Sequence, residues 1–146
     1  MAMVHEGGMA ESLKKRVQSL QPDSDRKWGK MTADQMLFHV NLILAEALGE
    51  YSGARSVRGI PQGLLLWLVL TIPWGKGAPT RPDMVVKERH DFAKEQKRCL
   101  EMIDRVAALP LNGTWPPSAN FGTMSGTNWS KLLAKHTNHH LLQFGV

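Results

Sequence analysis

The sequence predicts an all-α protein, a bundle of helices joined by long polar connections. Three observations carry that prediction. Apolar residues recur at helical spacing, clusters of proline and glycine divide the chain into five helical stretches, and no segment shows the period-two alternation of a strand or an internal repeat. At 146 residues the chain has the size of one domain with a sizeable core. Residues 11–146 are assigned to that domain. Residues 1–10, with Gly7-Gly8 and no apolar run, are assigned to a flexible N-terminal tail that lacks the makeup of a signal peptide.

The first helix is expected over residues 11–20, where Leu13, Val17 and Leu20 keep helical spacing and Pro22 ends the hydrogen-bond ladder. Thr32 followed three residues later by Gln35 is a capping box, so a second helix begins there and continues through Met36, His39, Leu42, Ile43 and Ala47 to stop near Gly49. Residues 50–60 read as loop, and Pro61 suits the first turn of a third helix ending before Pro73. Residues 75–84 form an extended, proline-rich connection, and a fourth helix is expected over 86–109, with Phe92, Cys99, Ile103 and Val106 among its apolar positions. After an irregular stretch at 112–126, the last helix starts near Thr127 and continues to about Phe144.

Composition narrows the function classes. Eighteen Lys and Arg stand against 13 Asp and Glu, for a net charge of +5. The basic residues are scattered and no aromatic-interleaved basic patch appears, so nucleic acid is not the expected partner; the surplus suits anionic small molecules. The apolar run at 63–74 falls far short of the ~20 residues that span a bilayer. Its meaning is a buried helix, a shallow membrane contact flanked by Trp67 and Trp74, or a homodimer surface. The single cysteine, Cys99, excludes an intrachain disulfide and suits a reducing cytoplasm; it reads as a small helix residue before it reads as a catalytic thiol.

Chemistry is signalled by histidine. Of six histidines, His136, His139 and His140 fall in the last helix, and His136 and His140 are spaced i, i+4. Counted at about 100° per residue, His140 falls within ~40° of His136 and inside the apolar arc of Trp129, Leu132, Leu133 and Phe144. Gln143 shares that arc, while His139 lies at its edge, ~60° away. On the second helix His39 points inward beside Gln35 and Glu46. Buried polar groups need partners, so these side chains either satisfy one another or surround a metal. A lone inward histidine is usually a core residue bonded to a carbonyl, and that reading stands beside the metal one.

The stretch WGKMTADQMLFHV at 28–40 and the C-terminal KHTNHHLLQFGV resemble, respectively, the opening of the second helix and the last metal-bearing helix of the DinB/YfiT-like metalloenzyme superfamily. The resemblance is nearest to a branch of small proteins ending in an HHLxQFG-like signature. A His-Pro pair usual before Phe-Gly in that branch is replaced here by Ser118-Ala119, ahead of Asn120-Phe121-Gly122. The resemblance implies an antiparallel four-helix bundle and a divalent metal, nickel or zinc, held by His39, His136 and His140. His139 is then a neighbour of the site, Gln143 a hydrogen-bonding support to a ligand, and Glu46 a pocket carboxylate two turns from His39, whose plainer reading is a helix-end carboxylate.

Three functions follow as expectations. The first is a metal-dependent enzyme acting on a small-molecule substrate, a hydrolase or a transferase using a low-molecular-weight thiol, with no catalytic residue assigned beyond the metal ligands. The second is a non-catalytic metal-binding or stress-response module, for which Cys99 is the candidate fourth ligand. The third is a dimeric scaffold built on the run at 64–74.

Overall fold

The computed structural model describes residues 2–146, and among them it contains helices and no strand. The helices are α1 (Met9–Ser19), α2 (Ala33–Ala47), α3 (Gln62–Thr71), α4 (Phe92–Ala107) and α5 (Gly126–Gln143), with a 3₁₀ turn at Pro82–Met84. Helix α4 packs on α1 and α2, and α5 closes the ring against the same two. Helix α3 lies outside that ring, against α5.

Each start has a local cause. Gly8, with φ at 82°, makes the left-handed turn into α1, a conformation glycine adopts without a Cβ penalty. The Gln35 side chain accepts from the Thr32 N–H at 3.0 Å as the capping box requires. Its amide also donates to the carbonyls of Lys87 and Glu88, so Gln35 belongs to the helix cap and not to the inward stripe expected for it. Ser125 accepts from the Asn128 N–H to open α5, and at Gly126 a Cβ would collide with the Leu111 carbonyl and the Trp115 indole.

Two expectations are corrected. The fourth helix does not begin at residue 86. Asp34, buried on α2, takes the His90 N–H at 2.8 Å and the Arg89 guanidinium, and Asp91 caps α4 by accepting from the Lys94 N–H. These side-chain bonds compete with the helical ladder and hold 85–91 as a strap between α2 and α4. Nor do residues 2–10 form a free tail, while residue 1 of the expected tail lies outside the described residues. Val4 is buried, its N–H bonds the Ser130 carbonyl, and the His5 ring lies between the Ser130 hydroxyl and the Leu109 carbonyl, each at 2.8 Å.

One hydrophobic cluster fills the ring. Trp129 sits at its centre with no exposed surface and donates its indole N–H to the Pro116 carbonyl. Cys99 is equally buried, and that burial pushes its thiol up to about 12, with Glu95 adding to the shift, so it is packing and not a nucleophile. Helix α3 behaves differently: Leu66 and Leu70 face the core, whereas Leu64 and Trp67 are 49% and 59% exposed. Its C-terminal end is clasped by Lys135 of α5, whose ammonium donates to the carbonyls of Val69, Leu70 and Ile72. Among the described residues no helix is long and apolar enough to cross a membrane.

Candidate metal centre

Helices α2 and α5 meet along the faces that carry His39, His136 and His140. All three side chains are buried, and one ligand nitrogen from each lies within 4.8 Å of the others. Ring centroids are 4.5 to 4.9 Å apart. The i, i+4 spacing on α5 supplies two rings one turn apart, and His39 closes the triangle from the neighbouring helix.

Hydrogen bonds orient two of the rings. His39 Nδ1 is 2.8 Å from the Met84 carbonyl oxygen, which can only accept, so Nδ1 carries the proton and Nε2 keeps its lone pair. His140 Nδ1 is 2.7 Å from Gln143 Oε1, with the same consequence. Gln143 is itself held in place: the left-handed Gly29 passes so close that a Cβ there would stand 2.9 Å from the Gln143 amide nitrogen. Bonding the outer nitrogen of an imidazole to an acceptor fixes the tautomer and makes the inner nitrogen a better ligand.

His136 differs. Its Nε2 lies 3.1 Å from His39 Nε2, and its buried Nδ1 has no hydrogen-bond partner. Burial pushes all three imidazoles below their ordinary value, and neighbouring histidines push His136 and His140 further, His140 to about 3. The three are therefore neutral at pH 7, the state in which imidazole binds a metal. Neutral, inward-facing nitrogens at this spacing fit a divalent ion and could hold one.

The remaining expected residues divide. Gln143 joins the group through its hydrogen bond with His140. His139 stays outside it, half-buried on the rim, with its ring edge-on to Trp28 and Trp74 at 5.0 and 5.4 Å. Glu46 is no solvated helix-end carboxylate. It is 2% exposed, forms a two-point ion pair with Arg81 and accepts the Ala119 N–H at 3.2 Å. Arg81 also holds Asp83, which accepts from the Tyr51 hydroxyl at 2.7 Å.

This network braces the 3₁₀ turn that presents the Met84 carbonyl to His39, and sequence reading missed it. The acceptor is a backbone oxygen 45 residues from its histidine, and Arg81 lies in a segment with no periodicity. The one available signal was Glu46, an inward carboxylate without a cation on its own helix. At Ser118-Ala119, ahead of Asn120-Phe121-Gly122, Ser118 and Gly122 form an isolated two-residue bridge.

A cavity of about 400 Å³ opens beside the three rings, bounded by α3, the 78–84 segment and residues 118–121. No protein-family model, curated protein or solved structure matches the chain. The geometry therefore defines a class by itself, an all-helical protein whose buried three-histidine group is able to hold a metal ion.

Proposed function

We propose that the chain is a metal-dependent enzyme of the DinB/YfiT-like kind, its α1, α2, α4 and α5 forming that superfamily's antiparallel four-helix bundle and its three histidines holding zinc or nickel. The observation that carries this reading is the convergence of three neutral imidazoles on a cavity large enough for a small molecule. A bound divalent ion would supply Lewis acidity toward a water, a thiol or a substrate oxygen, which suits a hydrolase or a transferase using a low-molecular-weight thiol. The chain's own residues do the rest. Met84 and Gln143 orient His39 and His140, the apolar walls restrict water, and the Glu46–Arg81–Asp83 network keeps the Met84 carbonyl in place.

The alternative, a non-catalytic module with a structural ion, calls for a fourth protein ligand. Among the described residues the metal-capable group contains three histidines only, and Cys99 is not one of its members. That favours open coordination positions, and with them the enzyme. A homodimer through α3 is supported by the exposure of Leu64 and Trp67, and sedimentation at micromolar concentration decides it: a monomer removes the idea.

The principal test is elemental analysis of untagged protein purified without added metal. On the order of one divalent ion per chain is expected in the wild type, with loss in both His136→Ala and His140→Ala. Unchanged metal in both variants overturns the assignment. Retained metal with no turnover across thiol-conjugation and esterase panels would favour the module.

A further inference from the structure

The cavity beside the histidines has a chemical character that the three rings alone do not explain. Its walls are Ile43, Leu65, Leu68, Val69, Trp74 and Phe121, contributed by α2, α3 and the two long connections. His39, His136 and His140 also line it.

The net charge of +5 suggested an acidic substrate, but the cavity does not carry that surplus. Among the described residues the one lysine or arginine lining it is Arg81. Its guanidinium is already committed, with Nε on Asp83 and the two terminal nitrogens on Glu46 and Asp83. Two carboxylates against one guanidinium leave that cluster net negative. Lys135, close by over the Trp74 ring, spends its donors on the α3 carbonyls. Asn120 is likewise engaged, its Oδ1 accepting from the Ser56 and Val57 N–H groups. A carboxylate, sulfonate or phosphate entering this space would lose its hydration and meet no free side-chain cation, so an ion held by the histidines would be the one positive charge open to it.

We infer that the cavity binds an uncharged, predominantly apolar small molecule, its body against α3 and Phe121 and its single polar group toward the histidines. The inference rests on the proposed site in that the same histidines line the cavity. It narrows the substrate class: the highly charged small thiols that a basic protein would attract do not match these walls.

The test uses N-phenyl-1-naphthylamine, an uncharged fluorescent probe, on metal-stripped and zinc-loaded full-length protein. Saturable binding is expected, and in the metal-stripped protein 1-octanol should displace the probe at concentrations at least tenfold lower than octane-1-sulfonate. Leu68→Lys, which brings a charge into the cavity, should weaken the probe at least tenfold. Val57→Trp, which fills the cavity from a loop, should do the same and covers the case in which Leu68→Lys fails to fold. Trp67→Ser, on the exposed side of α3, should leave binding within twofold.

Equal displacement by the sulfonate overturns the inference. So does unchanged affinity in folded Leu68→Lys and Val57→Trp, or loss of binding in Trp67→Ser, which would place the probe on the surface. The two readings fail separately. Probe binding with no zinc uptake removes the metal and keeps the apolar cavity, whereas zinc uptake without probe binding does the reverse.

Discussion

Gln143 shows how much a single side chain can decide at this site. Its amide oxygen sets which nitrogen of His140 carries the proton. Gln143→Leu removes that acceptor and leaves a buried Nδ1–H unpaired. We expect zinc affinity to fall about 10- to 100-fold with little change in helix content, as measured by competition with a chromophoric chelator. His136 needed no such support to be found, because its spacing from His140 was legible in the sequence. The Met84 carbonyl was not legible, since every residue has a carbonyl and no side-chain pattern marks the one that will face an imidazole. His139 was placed at the edge of the apolar arc by counting, and it lies on the rim between two tryptophans.

At the scale of elements, the strap between α2 and α4 is the part that periodicity misread. The run before Phe92 holds no proline or glycine to stop a helix, but Asp34 draws off the His90 N–H and Asp91 caps α4 at the Lys94 N–H. Burial alone would raise the Asp34 carboxyl. The Arg89 guanidinium, the His90 N–H and the Thr32 hydroxyl outweigh it and hold the group at about 2. Asp34→Ala strips the strap of its anchor and should cost about 1–3 kcal/mol, read as a lower urea midpoint. Helix α2, with its cap signal, and α5, with its apolar arc, were bounded closely by the sequence. Their partners in space were not, because the contacts that join them are long-range.

For the whole molecule, acid resistance should fall in two overlapping windows. The histidines of the site are depressed in the fold and ordinary when unfolded, so the unfolded chain binds more protons below about pH 6.5. Stability is therefore fully present above that pH and is lost as pH falls from ~6.5 toward ~3, where His140 titrates in the fold. Asp34, also depressed, contributes stability above ~4 that is lost as pH falls through about 2. Urea midpoints of metal-free protein should thus decline between pH 7 and 5, and His140→Leu should flatten that decline. A pH-independent midpoint across that range in the wild type would contradict the neutral, buried state of the three rings. Trp129→Ala, at the centre of the single core, should cost about 3–5 kcal/mol irrespective of pH, and calorimetry can show it.

Lys135 gives α3 a mechanical asymmetry. The residue immediately before a site histidine grips three carbonyls at the Thr71 end of α3, while α3 forms a wall of the cavity. The wall is latched at that end to the helix that carries two of the three histidines. Lys135→Met should release the latch, speeding amide exchange at the end of α3 while leaving the middle of α5 protected. One side chain thus ties a wall of the cavity to the helix of His136 and His140.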